Sequence, residues 1–417
     1  MDALVNQLQA VTLASQATAS EEQTFLNNLL LNNVIHEALF SYLTPMEFLR
    51  LAKTCCRANV VVQSYVKRAF NINRFLLRFF SDPLAFRSLQ ARTGTLVSGS
   101  STLQFFDRTF YPDSDLDLYL SMEAIERVAQ WLIGPAGYTF TAHERQAASL
   151  DEALAAIRFP PTTDVVAMAA AEHPVYGSRG IRGVFTFTKP AEDATAPILK
   201  VQCIVAKLSP MRLILDFHST CVMNLISYEK AYCLYPRATV HEHLSLMTTA
   251  RPSRGHPAAL AKYESRGFGI LSFVGPHDPD FPIGARYIGD PQCWTIPLSL
   301  EGIEVDWPVN GASAPLTQDP VAASSWRLYE RNLRHERRMA ISSRIEASEF
   351  LYHIYTCASE EVTHFAQQLL FQEYGLDMRS YARRYGTNVQ ERRYYDQKFI
   401  EYVILYYRLC DAGRYSL

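Results

Sequence analysis

Two short runs carry residue types suited to phosphoryl chemistry: Val97-Ser98-Gly99-Ser100, and Asp113-Ser114-Asp115-Leu116-Asp117-Leu118-Tyr119. A glycine between a strand and a helix lets the backbone turn tightly, and the free N–H groups of the helix start suit a phosphate. Asp115 and Asp117, two apart on an extended segment, project from one face about 6.6 Å apart along the chain. A carboxylate pair beside a phosphate cradle is what Mg²⁺-dependent phosphoryl or nucleotidyl transfer uses, because the metal bridges carboxylates and phosphates. The same pair is also at ease on a solvated strand end without metal. Its repulsion is about 0.6 kcal/mol in water and about 2.5 kcal/mol at an effective dielectric of 20.

The surrounding pattern predicts the elements that must hold these groups. Leu96–Ser98 reads as a strand, Ser101–Phe110 as a helix with Leu103, Phe106 and Phe110 on one side, and Leu116–Leu120 as an alternating strand. A helix near Ala124–Ile133 follows, then a hairpin of Gly183–Thr188 with Ile198–Ala206. Leu213–Phe217 reads as a further strand running into a helix capped by Ser219 or Thr220, and Gly284–Leu300 as a last strand pair. Upstream, residues 1–24 read as a polar arm. Val34, Ile35, Ala38, Leu39, Tyr42 and Leu43 form one apolar helical face. Thr44, Pro45 and Glu47 make a capping box with proline at the first helical position. Phe48, Leu49, Leu51 and Ala52 face a second helix, and Val60 to Phe70 give a third. From about Ser324 the chain reads as helical, with Arg327, Arg331, Arg334 and Arg338 on one basic face.

Composition narrows the function classes. The 417 residues carry 40 Lys and Arg against 42 Asp and Glu, a net charge of −2, which excludes a bulk electrostatic attraction to nucleic acid or anionic membrane. No apolar run approaches the length of a membrane span, and no secretory signal is evident at the N-terminus. Eight cysteines without a C-x-x-C pair suit the reduced thiols of cytoplasm or nucleus, with Cys221 and Cys233 expected in the core. Arg383, Arg384, Arg392 and Arg393, interleaved with Tyr381, Tyr385, Tyr394 and Tyr395, have a composition able to track a nucleic-acid backbone. A solvated basic face pairing with Glu330, Glu336 and Glu346 is the more usual explanation.

Gly-Ser, a helix, then Ser114-Asp115-Leu116-Asp117-Leu118 resembles the nucleotidyltransferase fold of DNA polymerase β and the poly(A) polymerases, over roughly residues 90–230. The resemblance implies that Gly99 and Ser100 bind a nucleoside triphosphate and that Asp115 and Asp117 hold Mg²⁺. For the third carboxylate of that family there are two positions. Gln202, in Leu199-Lys200-Val201-Gln202-Cys203, stands where the polymerase β-like third aspartate would be. Asp216 stands where some poly(A) polymerases place theirs, and equally reads as a helix-flanking carboxylate. An active enzyme would use Asp115, Asp117 and Asp216 as catalytic residues to transfer a nucleotide to RNA, protein or a small acceptor. The row Lys200, Gln202, Ile204 places Gln202 in the cleft instead, which favours a catalytically reduced pseudoenzyme. His218 reads as a structural imidazole.

Val34-Ile35-His36-Glu37-Ala38-Leu39-Phe40-Ser41-Tyr42-Leu43-Thr44-Pro45-Met46-Glu47-Phe48-Leu49-Arg50-Leu51 resembles the F-box. The resemblance implies docking of a Skp-type adaptor of SCF ubiquitin ligases through the face around Leu39, Leu43 and Leu49; the alternative is a three-helix cap. The span from there through Phe217–Asn224 and Gly289-Asp290 to Cys293-Trp294-Thr295 also resembles a class of mushroom-fungus (basidiomycete) proteins, which implies a fungal source. The expected molecule is an α+β protein: an arm (1–28), an F-box-like helical module (29–82), a mixed α/β nucleotidyltransferase-like domain (83–235), a connecting helix and strand pair (236–315) and a helical C-terminal region (316–417). The expected function is that of a ubiquitin-ligase substrate adaptor for a protein client, with the Mg²⁺-dependent nucleotidyltransferase as its alternative.

Overall fold

The computed structural model describes residues 32–158, 180–190, 197–248, 256–305, 319–333, 336–375 and 394–415. The N-terminal arm, Arg334 and the Arg/Tyr cluster at 381–393 lie outside them. The chain divides into two compact units, Met1–Asn71 and Ile72–Leu417.

The smaller unit contains α1 (Asn33–Phe40), α2 (Pro45–Ala52) and α3 (Cys56–Ala69). Asn32 caps α1 through its side chain, and the Thr44 N–H donates to Glu47 Oε2 at 2.6 Å, with Pro45 opening α2. The core is a trio of rings, Phe40, Phe48 and Tyr65, with centroids 5.2 to 6.2 Å apart, alongside buried Ala58 and Val62. The periodic apolar face of the first helix turns outward instead. Val34 is 78% exposed and Tyr42 88%, with Ile35 and Leu39 also exposed.

The larger unit starts with α4 (Ile72–Leu76) and α5 (Pro83–Thr93). Arg87 of α5 reaches back to Asn73, so residues 72–82 belong with the α/β domain rather than with the helical module. Then follow β1 (Leu96–Ser98), α6 (Ser100–Asp107), β2 (Leu116–Leu120), α7 (Ile125–Ile133), β3 (Thr139–Thr141), α8 (Leu150–Arg158), β4 (Ile181–Lys189), β5 (Leu199–Ala206) and α9 (Pro210–Leu215). β6 (Asn224–Ile226), β7 (Lys230–Cys233), β8 (Leu244–Leu246), α10 (His256–Glu264), β9 (Gly269–Leu271), β10 (Gly284–Tyr287) and β11 (Trp294–Pro297) complete this half. Eight strands form one mixed sheet in the order β11-β7-β6-β1-β2-β5-β4-β3, with β2 and β5 parallel. Leu96, Tyr119, Val184 and Ile204 pack on Met211, Leu213, Ile214 and Leu215 of α9 to make the main core. Cys221 and Cys233 are buried, as expected.

Three expectations are corrected. Leu213–Phe217 is not a strand: Ser209 and Pro210 start a short helix through Leu215, and Asp216 is its C-cap. A five-residue apolar run fits either period, and the proline at the first helical position decides it. The segments within Gly284–Leu300 do not pair with each other, since β10 joins β12 and β11 joins β7. The stretch from Ser324 is a hairpin, β12 (Ser325–Leu333) with β13 (Glu336–Ser342), rather than a basic helix. Trp326 and Leu328 are buried while Arg327 and Arg331 are exposed, a period of two that the four-residue arginine spacing also satisfies. β14 (Arg344–Glu346) and β15 (Tyr355–Cys357) follow, and only then α11 (Glu360–Tyr374) and α12 (Asp396–Asp411), which share a core of Val362, Leu370, Phe399 and Val403. No helix among the described residues is long and apolar enough to cross a membrane.

Candidate functional site

Gly99 links β1 to α6 at φ 77°, ψ −151°, a conformation closed to residues with a Cβ. A Cβ there would stand 2.5 Å from Asp117 Oδ2. The glycine therefore serves two ends. It turns the chain into a helix whose first-turn N–H groups have no intrahelical acceptor, and it makes room for a carboxylate beside them. Asp117 is cross-strand neighbour to Ser98 on β1 and, on its other side, lies in register with Gln202 of β5. It is almost buried, as are Ser100 and Ser101 of the helix start.

Asp115 lies just before β2, half-exposed, and its Oδ2 pairs with Lys200 Nζ at 2.7 Å. Lys200 and Gln202, two apart on β5, thus line the face that carries Asp115 and Asp117, as the row predicted from sequence requires. Ile204, the third of that row, sinks into the core with Tyr119. The Gln202 amide donates to Thr186 Oγ1 of β4 at 3.4 Å.

Two side chains that sequence reasoning missed fix the loop bearing Asp115. The Gln104 amide of α6 bridges the Ser100 carbonyl, which accepts from Nε2, and the Tyr111 N–H, which donates to Oε1 at 2.7 Å. Arg78 donates to the carbonyls of Tyr111, Pro112 and Ser114. Only a folded loop aligns three carbonyls on one guanidinium, so no spacing rule could have shown it.

A second set arrives from α10 and the turn that follows it, beyond the span of the resemblance. Lys262 lies within electrostatic reach of Arg266, Asp117, Asp115 and Lys200; desolvation first, then repulsion by Arg266, holds its ammonium below the usual lysine range. Arg266 stacks its guanidinium over Tyr111 at 3.8 Å. Tyr263, between them on the chain, is buried against Phe268 and His218, and His218 shares a 2.7 Å hydrogen bond with the Ser219 hydroxyl. That placement suits the structural imidazole expected of His218.

Asp216 is elsewhere. Its carboxylate accepts from Arg212 Nε at 3.1 Å, an i,i+4 pair that offsets an anion at a helix C-terminus, and Arg212 in turn donates to the Ser343 carbonyl and hydroxyl. A Cβ on Gly180 would lie 3.9 Å from Asp216 Oδ2. Gly180 bonds to Lys207, past the end of β5 and five residues beyond Gln202, which is about 16 Å along the strand. The structure brings Gly99, Ser100, Asp115 and Asp117 together and leaves Asp216 apart. Among the described residues no group of three His, Cys, Asp or Glu is placed to hold a metal ion. With an amide in the third position and an ammonium on Asp115, the residues present do not fit the Mg²⁺ centre that the resemblance implies. No family model, curated protein or solved structure matches the chain.

Proposed function

We propose that this chain is an interaction protein: an F-box-like helical unit that docks on a Skp-type adaptor of an SCF ubiquitin ligase, joined to a nucleotidyltransferase-like domain that binds a nucleoside triphosphate without turning it over and engages a protein client. The observation that carries the reduced-catalyst reading is the third acidic position. Gln202 lies in register with Asp117, and the carboxylate that could replace it, Asp216, is tied to Arg212 at the far end of β5. An amide cannot share in neutralising two divalent cations as a carboxylate does. For the helical unit, the support is the outward apolar face of α1 and the turn after it, where Val34, Ile35, Leu39 and Tyr42 stand exposed.

The full chain tests both halves. Incubated with labelled nucleotides and Mg²⁺ or Mn²⁺, it is expected to modify neither RNA, protein nor small acceptors, yet to melt higher with nucleotide present, by mass action. Turnover that disappears in Asp216→Asn would overturn the reduced-catalyst reading. Pull-down with a Skp-type adaptor is expected to succeed and to fail for Val34→Ser with Tyr42→Ser. Exchanges at such exposed positions stay within about 0.5 kcal/mol of wild-type stability, so a loss of docking would not reflect unfolding. A folded wild-type chain that ignores the adaptor would leave the unit as a helical cap.

A further inference from the structure

We infer that Lys200 occupies the ground a divalent cation would hold beside Asp115, so that the site takes the polyphosphate of a nucleoside triphosphate through protein cations, without metal. The inference rests on the nucleotide-binding reading above and adds how the charge is met. Asp115 and Asp117 bring two negative charges to the mouth of the Gly99 turn. Lys200, 2.7 Å from Asp115, cancels one of them directly. Lys262 feels the field of both carboxylates without forming an ion pair to either, and Arg266, which adds to the positive field at Lys262, stacks on Tyr111. Arg266 Nη1 is buried with no hydrogen-bond partner among the described residues, so a donor is left over on the cationic side. With Arg78 and Asp113 at the same mouth, four cations face three anions, and the positive balance lies beside the first-turn N–H groups of α6, which themselves favour an anion.

A Mg²⁺ ion wants near-octahedral oxygen ligands at about 2.0–2.1 Å. To sit on Asp115 it must displace an ammonium already within hydrogen-bond distance, and then face Lys262 as well. Polyphosphate alone meets no such conflict: its oxygens are acceptors for the groups already present.

Titration calorimetry on the full chain decides it, with ATP and with inorganic tripolyphosphate as probes, each in EDTA and in excess Mg²⁺. Both probes are expected to bind in EDTA at least as tightly as with Mg²⁺, which would compete for the phosphate charge. Lys200→Met removes one charge-assisted hydrogen bond to the phosphate. It is expected to weaken binding in EDTA by about tenfold or more, and to make the remaining affinity depend on Mg²⁺ as Asp115 is released. Asp115→Asn separates the two accounts by sign. Removal of a neighbouring anion is expected to tighten binding in EDTA by about fivefold, whereas removal of a metal ligand would abolish it. Binding seen only with Mg²⁺ and abolished in Asp115→Asn would overturn the inference and leave the nucleotide-binding reading standing. No binding of either probe under either condition would overturn both.

Discussion

Gly99→Ala is the sharpest perturbation of the proposed cradle, because two separate costs fall on one methyl group. The first is conformational: at φ 77° and ψ −151° the backbone lies in a region essentially reserved for glycine, worth about 1–3 kcal/mol for any other residue. The second is steric. The new Cβ would stand 2.5 Å from Asp117 Oδ2, so the carboxylate must retreat by about 0.9 Å to reach the 3.4 Å of ordinary van der Waals separation. Asp117 is 8% exposed and hemmed in by Ser98 and Gln202 on the adjoining strands, and an off-rotamer retreat of that kind costs about 0.5–1.5 kcal/mol. The sum is about 1.5–4.5 kcal/mol off the larger unit. Urea denaturation followed by circular dichroism reads it as a lower midpoint at unchanged slope. A double-mutant cycle with Asp117→Ser separates the costs: shortening the carboxylate relieves the steric share, about 1 kcal/mol of coupling, and leaves the backbone share untouched. Gly99→Ala within 0.5 kcal/mol of wild type by that assay would mean that the turn does not hold its conformation. A full loss of stability with no coupling to Asp117 would mean that the carboxylate does not lie where the cradle requires it.

Two further outcomes follow from side chains the reading depends on. Arg78→Met removes the donors that gather the Tyr111, Pro112 and Ser114 carbonyls; it should cost about 1–3 kcal/mol by denaturant titration and weaken ATP binding, and Arg78→Lys should restore little because an ammonium lacks the fork. Asp319, 2% exposed, has its carboxyl pushed up to about 6 by burial, against the help of the Ser227 hydroxyl and the Val321 N–H. The unfolded chain releases that proton near 3.8 and the folded one near 6, so stability falls as pH rises between them, by about 3 kcal/mol in all. Asp319→Asn, which keeps an acceptor for the Val321 N–H, should therefore stabilise the protein at pH 7 relative to pH 4. Equal effects at both pH values would mean that Asp319 titrates normally.

The local grammar of the chain was readable where one residue type has one use. Pro45 behind Thr44 opens α2, Gly99 breaks between β1 and α6, and the hairpin of β4 with β5 follows from its alternation. Reading failed where two periods coincide. Leu213 to Leu215 is apolar at every position, so helix and strand bury it equally well, and the arginines of β12 repeat at a spacing that both a helix face and a strand face accept. The apolar face of α1 lies on a helix as far as Leu39, with Tyr42 and Leu43 falling past its end at Phe40, and periodicity says only that a face exists, not that the chain itself covers it. Of the site, Gly99, Asp115 and Asp117 were legible because they are close in sequence. Arg78, Lys262 and Arg266 were not, because 21 residues or more separate each of them from Gly99 and a fold brings them to it.

β5 is the strand on which the proposal of a reduced catalyst rests. A strand parallel to β2 must present alternate residues to the carboxylate face, and on this strand those residues are Lys200 and Gln202. Either residue alone would leave room for metal chemistry: a glutamine beside two aspartates still permits one ion, and a lysine beside three carboxylates would still leave a net negative centre. Together they put an amide in register with Asp117 and an ammonium on Asp115, on a single face. Asp216 cannot offset this, since its partner Arg212 is itself anchored to Ser343 of the C-terminal strands and draws the carboxylate away from the cleft. By the same reasoning either change alone, Lys200→Met or Gln202→Asp, makes room for one ion, and a full three-carboxylate centre free of the ammonium takes both. That pair should gain Mn²⁺ binding by calorimetry where neither single variant gains the full effect. Equal gain from Gln202→Asp alone would show that Lys200 does not guard the site.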